Sequence, residues 1–192
     1  QYSLNPEQIF TLANEESPAY LPGFFIAASS VARDLDKLEN AFRTGEGVGW
    51  HEHHASLFEG TEKFFRPGYN ANLVASWIPS LEGVEAKLKR GARVADIGCG
   101  HGASTIIMAK AYPNSTFFGF DYHPASIERA RKLAAQGDVA DRITFEIAAA
   151  KSYAGKEYDL VAFFDCLHDM GDPVGAAKHV YQSLAADGTP PP

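Results

Sequence analysis

The sequence predicts an α/β protein, with a parallel sheet covered by helices on both faces and a purely helical segment ahead of it. Three observations predict it. After Gly91, short apolar runs alternate with helix-length segments. The residues before about 90 carry helical punctuation and no convincing strand. A triplet of glycines leaves the first apolar run. Repeated strand-helix-strand units imply right-handed crossovers and hence parallel strands.

In the helical segment, Asn5-Pro6 opens a helix as N-cap and first helical residue. The spacing of Phe24, Ala27, Ala28, Val31, Leu35, Leu38 and Phe42 predicts one long helix over about 22–43, ended by Gly45. The stretch 55–81 is rich in rings, with Phe58, Phe64, Phe65, Tyr69 and Trp77, and Pro67-Gly68 is expected to break it into two helices. Trp50-His51-Glu52-His53-His54 contains metal-ligand residue types. Only His51 with Ala55 and His54 with Phe58 share a face at the four-residue step, so it reads as a polar helix start and no metal is expected.

In the alternating segment, Val94-Ala95-Asp96-Ile97 is the first strand. A helix over about 102–112 follows, with Ala103, Ile106, Ile107 and Ala111 on one face. Strands are expected at 116–120, 143–147 and 158–164. A helix at 124–136 turns Ile127, Ala130 and Ala134 inward, and a last helix begins at Asp172-Pro173, as N-cap and first residue, and runs to about 186. The division is therefore 1–88, a helical cap or lid region, and 89–192, a sheet domain. Leu184-Ala185-Ala186-Asp187-Gly188-Thr189 runs into three prolines, which have no N–H to give a ladder. The expectation is a four-stranded sheet in the order 3-2-1-4, lacking its C-terminal strands, with the fourth strand as an uncovered edge.

Composition narrows the class of function. At 192 residues and 45% hydrophobic content the chain is long enough for a sizeable core. No window approaches the roughly 20 apolar residues of a membrane helix, and the start lacks a basic segment followed by an apolar one, so no membrane partner is expected. Cys99 and Cys166 have no metal-ligand spacing and read as free thiols in a reducing cytoplasm. A net charge of -7 argues against a surface built to neutralise phosphates. The one basic cluster, Lys87, Lys89, Arg90 and Arg93, reads as a solvated helix end. A small-molecule substrate is expected and nucleic acid is not.

The glycine turn is the centre of the functional reading. Ligands of open parallel sheets sit beyond the carboxyl ends of the strands, where Asp96-Ile97-Gly98-Cys99-Gly100-His101-Gly102 lies. Glycine lets the backbone bend and approach a ligand with no Cβ in the way. Gly98, Cys99, Gly100 and Gly102 are therefore candidate cofactor contacts; the plain alternative is a tight turn that binds nothing. Two acids sharpen the choice. Asp121, at the end of the next strand, is placed to hydrogen-bond ribose hydroxyls, which suits either a nicotinamide dinucleotide or S-adenosylmethionine. Asp96 separates the two, because a carboxylate repels a pyrophosphate and suits a ligand carrying an ammonium and a sulfonium.

Val94-Ala95-Asp96-Ile97-Gly98-Cys99-Gly100-His101-Gly102 resembles motif I of class I S-adenosylmethionine-dependent methyltransferases, and Asp121 matches the acid after their second strand. The resemblance covers about 89–188. It implies a Rossmann-like core, S-adenosylmethionine as cofactor, and Tyr122 against the adenine. After the third strand many members carry an acid near adenine, whereas this chain has Ala148-Ala149-Ala150-Lys151. The preceding segment resembles the helical cap of small-molecule methyltransferases with an N-terminal winged-helix domain, and Gln1-Tyr2-Ser3-Leu4 resembles the end of a wing. Such relatives often form homodimers through the part that is missing from this chain. Phe64-Phe65-Arg66-Pro67-Gly68-Tyr69 has the chemistry of a lid, with Arg66 for the cofactor carboxylate and Tyr69 for the sulfonium; core packing is the competing reading of each ring.

Phe164-Asp165-Cys166-Leu167-His168-Asp169-Met170 leaves the fourth strand on the same sheet edge, so its side chains can face the reactive methyl. Asp165 is a candidate cofactor contact. His168, with Asp169, is the candidate base, as in similar His-Asp pairs of O-methyltransferases; capping of the turn is the alternative. His101, His123 and His179 read as backbone or surface residues. Beside methyl transfer to a small nucleophile stand two other readings, a nicotinamide-dependent oxidoreductase and a truncated fragment that binds cofactor without turnover.

Overall fold

In the computed structural model, residues 2–189 are described. The chain forms two compact units, divided between Ala71 and Asn72.

The described elements of the first unit are helical: α1 (Pro6–Leu12), α2 (Pro22–Arg33), α3 (Leu35–Thr44), a 3-10 turn at Trp50–Glu52, and α4 (Ala55–Asn72). The expected start at Asn5 is present as a capping box, in which Asn5 Oδ1 accepts from Gln8 N and Gln8 Oε1 accepts from Asn5 N. Two expectations are corrected. The helix expected over 22–43 breaks at Asp34, whose buried carboxylate accepts from the backbone N–H of His54, the Lys37 ammonium and His53 Nδ1. These bonds, the His54 amide first, hold its carboxyl well below the usual range. With its side chain held by three partners, Asp34 is turned out of helical geometry, at φ -102° and ψ 10°. Conversely, α4 runs through Pro67 instead of ending there. Proline lacks the N–H that would bond four residues back, at Lys63. That peptide is where α2 approaches, since a Cβ added at Gly23 would lie 2.6 Å from Lys63 C and 2.4 Å from Phe64 N.

Helix α2 is amphipathic in an unusual sense. Its buried residues are the small Gly23 and Ser30, while Phe24, Phe25 and Val31 are about half exposed. Small side chains permit the close approach to α4, where a Cβ on Gly60 would come within 2.3 Å of Ala27 N.

The second unit opens with a π-helical turn at Leu73–Trp77, a short α5 (Ile78–Ser80) and α6 (Val84–Arg90). Then follow β1 (Arg93–Ile97), α7 (Ala103–Ala111), β2 (Thr116–Asp121), α8 (Pro124–Gln136), β3 (Ile143–Ile147), β4 (Tyr158–Phe163), a 3-10 turn at Leu167–Asp169, α9 (Pro173–Ser183) and β5 (Leu184–Thr189). The expected cap at Asp172 is made, its Oδ1 accepting from Gly175 N at 2.8 Å. All strand pairs are parallel, in the order β3-β2-β1-β4-β5. The expected order 3-2-1-4 stands, and the expected bare edge at the fourth strand is corrected. Leu184–Thr189 is itself extended and pairs with β4, Tyr158 opposite Leu184 and Leu160 opposite Thr189, with an irregularity between. The prolines expected to prevent this, 190–192, lie outside the described residues, as does Gln1.

The core between sheet and helices contains Ala95, Ile97, Phe120, Tyr153, Tyr158, Val161 and Val180. Two buried phenols are anchored by hydrogen bonds, Tyr153 to Ser183 and Tyr158 to the Ala154 carbonyl. Strands β1, β2 and β4 are largely buried, which leaves their ends to meet a ligand, and parallel pairing sets the carboxyl ends of the five strands at one edge.

Helix propensity alone makes Gly60→Ala stabilising by about 0.5–1 kcal/mol. The backbone of α2 occupies the space, so the expected result of denaturant unfolding is the opposite sign, a loss of about 1–3 kcal/mol. A stabilised variant would remove the close α2–α4 packing.

Candidate functional site

The glycine turn joins β1 to α7, and each glycine does a different job. Gly98, Gly100 and Gly102 all have positive φ, at 72°, 52° and 77°. A Cβ on Gly98 would lie 2.6 Å from Cys166 Sγ, and one on Gly102 would lie 2.5 Å from the Phe145 ring, so these two serve packing below the turn. Only Gly100 has open space where a Cβ would be. It is the point at which a ligand can approach the backbone.

The backbone donors of the turn are largely used within the protein. Gly98 N and Cys99 N both donate to Phe120 O, at 2.7 and 3.1 Å, Gly102 N donates to Cys99 O, and Gly100 N donates to Asp121 Oδ2 at 2.9 Å. A turn that cradles a pyrophosphate presents free N–H groups to it. This one spends them on its neighbours, and two carboxylates stand beside it, an arrangement suited to a cation.

Asp96 is buried at the end of β1. Its Oδ2 accepts from Ser104 Oγ and Thr105 Oγ1, each at 2.6 Å, in the first turn of α7. Its Oδ1 is buried with no hydrogen-bond partner among the described residues. Burial raises its pKa from 3.8 to about 6, against the two hydroxyl bonds and with a further push from Asp121. The sign follows: the fold favours the protonated form, and ionisation costs stability once the pH rises through about 6. Asp121 is held by two amides, from Gly100 to Oδ2 and from His123 to Oδ1. Its pKa is also raised by burial, and the same two bonds oppose the rise. Each of its oxygens takes one amide and keeps a second lone pair for a hydroxyl.

Other expected residues fall as follows. The Cys99 side chain lies below the turn toward Gly119, and its thiol pKa is pushed well up by burial. Tyr122 follows Asp121 and is 45% exposed. Asp165 adopts φ 51° after β4. His168 is exposed, its Nδ1 3.8 Å from Asp165 Oδ1 and its Nε2 3.4 Å from Asp169 Oδ2. Asp165, His168 and Asp169 are thus brought together, at the same edge as the glycine turn. Arg66 and Tyr69 belong to the other unit, where Arg66 pairs with Glu15 and Glu62 and Tyr69 stacks on Phe65.

Sequence reasoning missed Ser104 and Thr105, the hydroxyls that hold Asp96. It also missed Cys166, whose thiol donates to Ile97 O at 3.1 Å under Gly98. The signal for the first pair was present, two hydroxyl residues in the first turn of the helix after the glycines. His53 and His54 of the histidine-rich run attach to Asp34 through a ring nitrogen and a backbone amide.

Comparison with known proteins identifies the family. Residues 88–189 match the family described as a methyltransferase domain. The 27-O-demethylrifamycin SV methyltransferase of Amycolatopsis mediterranei is 32% identical over 125 residues, 64% of this chain and 40% of that protein. The trans-aconitate 2-methyltransferase of Streptomyces coelicolor is 35% identical over 65 residues, 34% of this chain and 22% of that protein. The chain thus spans less than half the length of these relatives. An O-methyltransferase family protein of Burkholderia thailandensis shares the fold, with a TM-score of 0.72 at 17% identity over 97% of this chain and 57% of that one. The chain belongs to the class I S-adenosylmethionine-dependent methyltransferase family.

Proposed function

We propose that the protein transfers a methyl group from S-adenosylmethionine to an oxygen of a small organic acceptor, with His168 taking the acceptor's proton. The observation that carries the reading is the open position at Gly100 between Asp96 and Asp121. Bound there, the cofactor supplies an electrophilic methyl on a sulfonium. Asp121 would hold its ribose through the free lone pairs, Tyr122 its base, and Asp96 would favour its positive charge from beneath the turn. Gly98, Gly102 and Cys99 contribute by shaping the turn. Asp165 is the choice for a contact near the methyl.

The names of the curated relatives support a small acceptor, and one of them names an oxygen. Methyl transfer is mainly positioning, and a base is needed where the acceptor is a hydroxyl. His168 is exposed and flanked by Asp165 and Asp169, whose carboxylate oxygens lie 3.8 and 3.4 Å from its ring nitrogens. No helix among the described residues is long and apolar enough to cross a membrane. A homodimer belongs to the same proposal.

Isothermal calorimetry with S-adenosylhomocysteine should show binding that Gly100→Ala weakens at least tenfold while the variant stays folded, because the new methyl fills the open position. No binding by the unaltered protein would remove the reading. The pH dependence carries a sign. Asp96 is protonated below its folded value of about 6 and gains charge above it, so affinity for the ammonium-bearing ligand should rise severalfold from pH 5 to pH 7.5. Asp96→Asn should flatten that slope, and a slope unchanged in the variant would take Asp96 out of the electrostatics. For the base, His168→Ala should lower the methylation rate about 100-fold or more with cofactor affinity nearly unchanged. An unaltered rate would dismiss it.

A further inference from the structure

We infer that the first unit carries a binding site of its own, in which Nε2 of His53 accepts a hydrogen bond from the hydroxyl of a neutral aromatic alcohol. The site is built at the junction of α2 and α3, and it stands apart from the S-adenosyl reading above.

A histidine becomes a directed acceptor when one ring nitrogen is tied to a carboxylate, because that bond selects the tautomer and leaves the other nitrogen its lone pair. Asp34 supplies the carboxylate. It is 1% exposed, and its Oδ2 lies 2.9 Å from His53 Nδ1. The His54 amide and the Lys37 ammonium donate to the same carboxylate at 2.9 Å each and keep it ionised, so Nδ1 is the donor of the pair. The two neighbouring histidines differ in what they leave over. His54 has both ring nitrogens engaged, Nδ1 with Ser56 Oγ at 2.9 Å and Nε2 with Arg33 at 3.4 Å. His53 spends only Nδ1. Its Nε2 has no partner among the described residues and is not sealed in the interior, the side chain being 21% exposed. A joint between helices requires only the Nδ1 bond, and the second nitrogen is held in place without a task inside the fold.

The surroundings set the class of ligand. The Trp50 ring meets His53 edge-on with centroids 6.3 Å apart, and Phe58 meets Trp50 at 5.3 Å. Trp50 is only partly buried, so an aromatic body finds ring contacts beside the nitrogen. The charged groups bonded into the cluster are Asp34, Lys37 and Arg33, with Lys37 paired to Asp34 and Arg33 turned to His54. Both cations are occupied, and a neutral hydroxyl therefore suits the site better than a carboxylate or phosphate.

The test is a titration of the full chain with phenol and with anisole, which has the same ring and no O–H to donate, followed through the imidazole nitrogen signals at about pH 8. The His53 signals are assigned through the contact of its ring with Trp50. The expected result is a proton on Nδ1, a shift of the Nε2 signal by millimolar phenol, and a response to anisole at least about fivefold weaker. In His53→Asn the amide nitrogen keeps the bond to Asp34 while nothing stands in place of Nε2, so phenol binding should fall about fivefold or more with the melting temperature unchanged. Phenol binding retained in that variant would leave His53 a structural role only and overturn the site. A proton on Nε2 would do the same, as would an Nε2 signal that phenol and anisole move alike or not at all. If the variant does not fold, the tautomer and the contrast between phenol and anisole decide alone. Binding of S-adenosylhomocysteine, measured on the same samples, reports on the methyl-transfer reading separately.

Discussion

Two carboxylates buried at the ends of neighbouring parallel strands, supported by hydroxyls and amides, are the constraint on which the second unit turns. A buried carboxylate is costly unless its oxygens are met by donors. Asp96 draws Ser104 and Thr105 of α7 onto itself, and Asp121 draws the Gly100 amide. The first helix is thereby locked to the first strand, and the glycine turn to the second. Parallel register does the rest, because it sets both strand ends at one edge of the sheet. The acids shape the turn as well as the ligand's electrostatic surroundings.

The first unit depends on a different constraint, the close approach of two helices. Gly23 and Gly60 remove the side chains between α2 and α4, and Phe24, Phe25 and Val31 of α2 are left about half exposed. At its end, Asp34 acts as a hub that gathers α3 and the histidine run. Both units thus use one buried acid to fix a junction, but Asp34 has a lysine and stays firmly ionised, whereas Asp96 has neutral donors and sits near protonation.

Much of this was legible in the sequence wherever the signal is local. The strand at 143–147, the helix at 124–136 and the caps at Asn5 and Asp172 depend on alternation, on proline at a first helical position or on a side chain reaching three residues along, and they stand as expected. What was not legible depends on distant partners. The break at Asp34 needs His54, twenty residues on; the continuity of α4 through Pro67 depends on what packs beside it; β5 needs β4 as a template. In the candidate site, Asp96, Asp121 and the glycines were readable as a motif, but their division of labour was not. Which glycine is open and which is packed depends on Cys166 and Phe145, far along the chain.

The internal use of the amides of Gly98, Cys99, Gly100 and Gly102 has a wider consequence. A loop held largely by its own hydrogen bonds is already assembled before a ligand arrives, so little conformational entropy is lost there on capture. Selectivity then falls to a few side chains around a rigid frame, and those can change one at a time without disturbing the frame. A scaffold of this kind is free to diversify in what it accepts while conserving how it grips.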